Sequence, residues 1–235
     1  MSSLSILSGG AAQGLVGSLT PTFKALTGFD ITGEFGAVGA MADKLRNGVA
    51  TDIVILTAAV VAKLATEKLV VPSSIADVGL VETALAVRAG EPQVTANDAA
   101  TLRKALLAAD AIFVPDIKAS TAGIHVAKVL HQLGIAEQVS ARLKVFPNGA
   151  TAMRQLAASD AARPIGCTQS TEIISAPGVV LSGSLPGGCD LSTVYTAAVT
   201  GGAVHAQQAR DLIGLLIAAD QRELRRRAGF LNAER

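Results

Sequence analysis

Short apolar runs alternate with helical patterns along the whole chain, and this alternation is the feature that most restricts its fold. The run "TDIVILTA" is almost entirely apolar, which is typical of a parallel strand covered by helices on both faces. Three strand–helix units fit into roughly the first 70 residues. The pattern predicts an α/β protein with mainly parallel sheets flanked by helices.

The same pattern continues after a longer strand in "VETALAVRAGEP", where a second strand–helix series begins. No repeat or flexible linker separates the two series, and long strands near residues 83–88 and 193–199 are the candidate crossovers. The sequence therefore predicts two lobes, one made of residues 1–82 and 195–235 and the other of residues 83–194. Because ligands of open α/β sheets bind beyond the carboxyl ends of the strands, we expect a ligand cleft between the lobes.

Charge and hydropathy exclude several classes of partner. The 235 residues carry a formal net charge of +1, so no general field attracts nucleic acid or a membrane surface. The basic run "RELRRR" is typical of a solvated helix face. No apolar run is long enough to cross a bilayer. The opening "MSSLSIL" lacks the features of a signal peptide, so we expect a cytoplasmic protein, or a periplasmic one if a leader was removed. A monomer and a homodimer both stay open.

Metal and cofactor chemistry also has little support in the sequence. The chain has two cysteines and three histidines, without the close spacing of a metal site. We therefore expect no metal and no organic cofactor. Cys167 is a candidate nucleophile or acid, although a small buried apolar residue is the better interpretation.

Several segments, in order, resemble the molybdate-binding family of class II periplasmic solute-binding proteins, which includes aconitate isomerase-like members. An opening strand–turn–helix ends at "FKALTGFDI" and is followed by "FGAVGAMADKLRNGVATDIVIL", "STAGIHVAKVLHQLG", "ARPIGCTQSTEI" and "RRRAGF". The resemblance covers nearly the whole chain. It implies two α/β lobes and a small anionic ligand, either an organic carboxylate or an oxyanion.

The sequence differs from this family at the residues with which the family binds its tetrahedral oxyanion. The serine of the first strand–helix turn corresponds to about Ala11, and that of the second turn to about Val38. The usual tyrosine is replaced around Thr168 or Gln169. Each hydroxyl lost from a buried anion site costs about 1–3 kcal/mol. These departures favour an organic acid over molybdate.

The candidate ligand contacts lie at the turns between strands and helices, where backbone N–H groups are free to bind anions. Tight turns, close packing and helix caps are the alternatives for the same residues. The resemblance favours a cleft role for Ser8, Gly9, Gly10, Ala11, Ala37, Val38, Gly39, Thr57, Ser120, Thr121, Ala122, Gly123, Asn148, Gly149, Gln169 and Ser170.

Three titratable residues are candidate catalytic groups. Lys118 precedes a helix start, and a lysine beside free N–H groups suits a carboxylate. His125 lies in the first turn of that helix, and Glu172 follows "GCTQS". The alternatives are a surface lysine, an ordinary histidine and a carboxylate near a helix cap. The sequence thus favours a cytoplasmic, cofactor-independent isomerase that shifts an allylic proton in a small unsaturated di- or tricarboxylic acid. The alternative is the substrate-binding component of an ABC transporter for molybdate or another small anion.

Overall fold

The computed structural model describes residues 2–232. Met1 and residues 233–235, which the predicted first lobe includes, lie outside this range. The chain forms two compact units: unit 1 runs to Val81 and resumes at Thr193, and unit 2 spans Glu82–Ser192. The boundaries predicted from the sequence fall after residues 82 and 194.

Strands and helices alternate through most of the described chain. The strands are β1 Ser3–Gly9, β2 Asp30–Gly36, β3 Ile53–Thr57, β4 Ala76–Arg88, β5 Ala111–Pro115, β6 Leu143–Phe146, β7 Pro164–Gln169, β8 Val179–Ser184 and β9 Ser192–Val199. The α-helices are α1 Gln13–Thr27, α2 Val38–Arg46, α3 Ala58–Thr66, α4 Ala99–Ala108, α5 Thr121–Gln132, α6 Ala136–Val139, α7 Gly149–Ala157, α8 Ser170–Ile174, α9 Ala206–Ile217 and α10 Arg222–Arg227.

Unit 1 contains a mixed sheet in which β1 pairs in parallel with both β2 and β3, while β9 runs antiparallel to β3. All five residues of β3 are buried, as its apolar sequence predicts for a strand covered on both faces. The core is built from aliphatic side chains and includes Leu15 and Phe23 of α1. The carboxyl ends of β1, β2 and β3 therefore meet at one edge, where α1, α2 and α3 begin.

Unit 2 repeats this plan with different partners. Strand β5 pairs in parallel with β6 and β7, and β4 runs antiparallel to β7 and β8. One core, including Leu85 and Cys167, packs against α5 on one face of the sheet. A second core, including Ala84 and Met153, lies with α7 on the other face. Side chains alternate between the two faces along a strand, so neighbouring residues of β4 and β7 belong to different cores. Each residue of these strands can therefore be assigned to one face of the sheet.

The end of the chain corrects one prediction from the sequence. The segment "HAQQARDLIGLLIAADQRELRRRAG" predicts one long helix, but α9 stops at Ile217 and α10 begins at Arg222. Ala218 between them has φ −53° and ψ 140°, which breaks the helical repeat. The Arg225 guanidinium donates to the carbonyls of Leu216 and Ala218 at 2.9 and 2.8 Å. The arginine thus binds the free carbonyls that end α9.

Within residues 2–232, no helix combines the length and apolar character needed to span a membrane.

Candidate functional site

The carboxyl-end edge of unit 1 presents helix starts with few polar side chains. The starts of α2 and α3, after Ala37 and Thr57, have no side-chain capping bond. Their first N–H groups are consequently free to bind an anion. The predicted site residues of this unit lie at this edge. Gly39 and Thr57 belong to it with Ser8, Gly9, Gly10, Ala11, Ala37 and Val38.

The side chain of Ser8 is hydrogen-bonded to the backbone. Its hydroxyl donates towards the carbonyls of Gly9 at 2.9 Å and Ile55 at 3.3 Å, and the residue is fully buried. A hydroxyl that already donates to carbonyl oxygens cannot also donate to an anion. Any ligand contact in this turn therefore depends on backbone N–H groups, as the family departures at Ala11 and Val38 predict.

Tyr195 is a polar residue of this edge that no sequence motif indicates. It is the single tyrosine of the chain, it is buried, and it stands opposite Thr57 in the β3–β9 ladder. A Cβ added at Gly9 would lie 2.8 Å from Tyr195 Cε1 and 3.0 Å from Val38 Cγ2. The glycine therefore leaves room for the tyrosine ring, and no local pattern in the sequence could reveal this contact between distant segments.

The carboxyl-end edge of unit 2 is much more polar. The end of β7 and the start of α8 bury a run of polar residues, Thr168, Gln169, Ser170, Thr171 and Glu172. Across the β4–β7 ladder, Thr83 pairs with Gln169. This cluster is the strongest concentration of buried polar side chains in the described part of unit 2.

Some atoms of this cluster have no hydrogen-bond partner. These atoms are Oγ1 of Thr83, Oγ1 of Thr171 and both amide atoms of Gln169. Leaving a buried donor or acceptor unpaired costs about 1–3 kcal/mol per group. Such a set is expected where a polar ligand supplies the missing partners.

Glu172 is enclosed rather than presented to a ligand. Its Oε2 accepts a hydrogen bond from Thr168 Oγ1 at 2.5 Å, and a Cβ added at Gly149 would lie 1.9 Å from the same oxygen. Burial raises the pKa of the Glu172 carboxyl, while hydrogen bonds from Thr168 and from the Gln169 and Gly149 backbones oppose this rise. Glu172 follows the cap residue Gln169 by three positions, as in a capping box. The carboxyl thus connects the starts of α7 and α8.

The start of α5 has free backbone N–H groups, which an anion site requires. Ser120 is its cap residue but makes no side-chain capping bond, so the N–H groups of residues 121–123 are free within the helix. A Cβ at Gly123 would lie 2.2 Å from the Asp116 carbonyl oxygen and 2.5 Å from that of Pro115. Glycine is therefore required for this helix to begin directly against the end of β5.

Two further predicted residues border this helix start. Lys118 is exposed, in a turn whose N–H groups at Lys118 and Ala119 donate to Asp116 Oδ1 at 2.7 and 3.0 Å. His125 is half-buried, and its Nε2 lies 2.8 Å from the Cys189 carbonyl oxygen. A carbonyl can only accept, so Nε2 carries the proton and Nδ1 is the basic nitrogen of the neutral ring.

Asn148 and Cys167 have structural roles. Asn148 Oδ1 accepts from the Thr151 N–H at 2.8 Å and caps α7, which was the alternative interpretation of this residue. Cys167 is buried, and burial raises its pKa to about 12. The thiol is thus protonated at neutral pH and is no nucleophile. Over residues 2–232, no group of three His, Cys, Asp or Glu side chains has the arrangement of a metal site.

A hollow of about 310 Å³ in unit 2 lies away from these residues. It is lined by apolar side chains such as Val87 and Ile165 and also by Glu91 and Arg163. Ile165 belongs to the amino end of β7, whereas Gln169 ends that strand. The hollow therefore lies at the opposite end from the polar cluster and contains none of the predicted site residues.

Comparison with known proteins agrees with this architecture. An aconitate isomerase from a Pseudomonas species is 25% identical over 231 residues, which is 94% of this chain and 84% of the relative. The periplasmic molybdate-binding protein of Azotobacter vinelandii superimposes with a TM-score of 0.82 at 18% identity, covering 98% of this chain and 100% of that one. The sulfate-binding protein SubI of Mycobacterium tuberculosis has a TM-score of 0.75 at 17% identity, covering 100% and 88%.

These structural neighbours confirm the α/β fold predicted from the sequence. A family model described as bacterial extracellular solute-binding protein matches residues 4–231. The match spans both units and every segment on which the predicted resemblance depends. The chain therefore belongs to the family of bacterial extracellular solute-binding proteins.

Proposed function

We propose that this chain is an enzyme that shifts an allylic proton in a small unsaturated di- or tricarboxylic acid, in the manner of an aconitate isomerase. The observation that carries the proposal is the buried polar cluster of unit 2, whose Gln169 amide and Thr83 hydroxyl lack partners. Such groups suit an organic acid with several polar substituents. The aconitate isomerase relative supports the same substrate class.

Backbone N–H groups bind the carboxylates in this proposal. The start of α5 in unit 2, where the polar cluster also lies, lacks a side-chain cap. A helix start offers several N–H donors and the positive end of the helix dipole. Lys118 lies three residues before α5 and adds a positive charge near that start.

His125 is the proposed proton carrier. Its Nδ1 takes a proton from the carbon next to the double bond, the electron pair moves along the allylic system, and the imidazolium returns a proton to the far carbon. The step conserves atoms and electrons and needs no oxidant. Glu172 is not assigned this task, because Gly149 and Thr168 enclose its carboxyl.

The alternative is the substrate-binding component of an ABC transporter for molybdate or another small anion. It is favoured by the family match and by the molybdate- and sulfate-binding structural neighbours. The edge of unit 1 also fits it, because uncapped helix starts bind anions without any proton carrier.

NMR of cis- and trans-aconitate incubated with the protein separates the two functions. We expect interconversion by the parent chain and at least about a hundredfold slower interconversion by His125→Gln, since general bases contribute about this factor or more. His131→Gln is the matched control, because His131 is exposed near the end of the same helix. Tight binding of molybdate or sulfate, with no chemical change in any carboxylic acid, would contradict the enzyme.

Cellular location stays a prediction. We propose the cytoplasm, and fractionation of the native host followed by immunodetection of the chain tests it. Recovery in the periplasmic fraction would instead favour the transporter component.

A further inference from the structure

We propose that Thr83 and Gln169 form a specificity pair for a ligand group that carries an O–H donor beside an acceptor oxygen, as a hydroxy acid or a protonated carboxyl does. The inference rests on the proposed function and names the group that the organic acid presents to unit 2. The sequence around Thr83, "VETALAV", predicts a crossover strand and gives no sign of a binding residue.

The ladder brings the two side chains together. Thr83 and Gln169 are directly opposite one another in the antiparallel β4–β7 pair, and opposite residues project from the same face of a sheet. Two residues further along, Leu85 pairs with Cys167, and both belong to the core packed against α5. The pair therefore lies on the α5 face, and the Thr168–Glu172 bond lies on the other.

Both side chains are buried without a partner. Thr83 is 1% and Gln169 is 3% exposed, and neither the Thr83 hydroxyl nor either amide atom of Gln169 has a hydrogen bond. The backbone of Thr83 is satisfied, because its N–H donates to Leu191 and its carbonyl accepts from Leu185. Gln169 is the cap residue of α8 but makes no side-chain capping bond. Local structure thus uses neither polar group.

The chemistry of the pair determines what it can recognise. The Gln169 amide has two N–H donors and one carbonyl acceptor, and the Thr83 hydroxyl both donates and accepts. A fully ionised tetraoxyanion offers acceptors only, so the carbonyl oxygen of Gln169 would stay unpaired. A hydroxyl or a protonated carboxyl supplies the missing donor as well as an acceptor. The pair is therefore expected to discriminate against sulfate and molybdate.

Melting temperature and affinity should change in opposite directions when the pair is removed. Thr83→Val and Gln169→Met delete unpaired buried groups, so the ligand-free protein should melt at a higher temperature. The same variants should bind the organic acid about tenfold more weakly, because each loses a hydrogen bond to it. Calorimetric melting and isothermal titration on the full chain measure both. A purely structural role would lower the melting temperature.

Two controls bracket this result. Thr83→Ser keeps the hydroxyl and should keep most of the affinity. Thr51→Val removes another buried hydroxyl, but one that bonds the Ser5 carbonyl just before the amino end of β3 and outside the polar cluster. We expect its affinity to stay within about twofold of the parent.

The titrants distinguish the two sources of the O–H group. Citrate and malate carry a hydroxyl, aconitate carries a donor only when a carboxyl is protonated, and sulfate and molybdate represent the tetraoxyanions. Tighter binding of aconitate at acidic than at neutral pH assigns the protonated carboxyl, and tight binding of a hydroxy acid at neutral pH assigns the hydroxyl. In either case, Thr83→Val must weaken the binding of that acid.

The failure of this inference differs from the failure of the proposed function. If the parent chain binds a carboxylic acid and both pair variants bind it within about twofold, the pair is not the determinant. Equal losses of affinity in Thr83→Val and Thr51→Val, or a lower melting temperature in both pair variants, would also overturn it. A parent chain that binds only tetraoxyanions would overturn both proposals.

Discussion

Each unit buries a carboxyl group, but the two groups have opposite pKa shifts and lie at opposite ends of their strands. Burial tends to raise the pKa of Asp52 in unit 1, yet hydrogen bonds from Ser5 and His205 hold it below its ordinary value. Its Oδ2 accepts from the Ser5 N–H at 2.9 Å and the Ser5 hydroxyl at 2.8 Å, and its Oδ1 accepts from the His205 N–H at 2.8 Å. In unit 2, burial outweighs the donors and raises the pKa of Glu172.

The position of each carboxyl explains what the unit can do. Asp52 precedes β3, so it stabilises the amino end of the unit 1 sheet, away from the helix starts. Glu172 follows β7 and connects the starts of α7 and α8. Unit 1 therefore leaves mainly backbone N–H groups at its carboxyl-end edge, and unit 2 concentrates polar side chains there.

Replacing Glu172 should have the largest effect on stability. Glu172→Ala leaves the N–H groups of Gly149 and Gln169 and the Thr168 hydroxyl without their acceptor, and the free energy of unfolding should fall by about 3 kcal/mol or more. Urea unfolding followed by circular dichroism measures it. Glu137→Ala, at an exposed position, should change stability by less than about 0.5 kcal/mol.

The pH dependence of stability sharpens the same comparison. The folded chain keeps Glu172 protonated at pH values where the unfolded chain ionises it, above the ordinary value of 4.5. The unfolded state then binds fewer protons, so the free energy of unfolding falls as pH rises towards the folded-state pKa. Glu172→Gln should remove this decline. An unchanged slope in that variant would show that Glu172 is ionised in the fold.

Adding a methyl group at a helix start should have the next largest effect on the free energy of unfolding. Gly123→Ala places Cβ 2.2 Å from a backbone carbonyl oxygen, whereas Gly9→Ala places it 2.8 Å from a tyrosine ring that can shift. We expect the free energy of unfolding to fall by about 3 kcal/mol in Gly123→Ala and by about 1–2 kcal/mol in Gly9→Ala. Gly187→Ala is the control, because nothing lies within 4 Å of its Cβ position. Equal losses at Gly9 and Gly123 would mean that Tyr195 is as rigid as the backbone.

Asp52→Asn should have a smaller effect that depends on pH in the opposite sense. The lowered pKa means that ionised Asp52 stabilises the fold fully above the ordinary value of 3.8, and this contribution is lost as pH falls through the folded-state pKa. The substitution should lower the free energy of unfolding by about 1–2 kcal/mol at neutral pH and change it little in strong acid. Urea titrations at both pH values measure the difference, and an equal cost at both would exclude the charge as its cause.

The sequence predicted what depends on local pattern and missed what depends on pairing between distant segments. The apolar run of β3 and the glycine after α2 identify a covered strand and a helix end, and Gly48 has φ 82° as that end requires. Tyr195 and Thr83 stood in apolar strands with no local signal, and only the β3–β9 and β4–β7 ladders bring them to the edges. Strand β8 was missed as well, because its short sequence "VVLSGS" has weak alternation.

The smallest predicted effect concerns glycines that no packing requires. Gly214 lies exposed within α9, and nothing is within 4 Å of a Cβ added there. Gly214→Ala should therefore raise the free energy of unfolding by about 0.5–1 kcal/mol, since alanine loses less backbone entropy in a helix. Thermal melting measures the gain, and no loss of ligand affinity should accompany it. A loss of stability would show that the α9 surface at Gly214 packs against something. Because the gain at Gly214 has the opposite sign to the loss at Gly123, the pair distinguishes a helix glycine required by close packing from one that only lowers helix propensity.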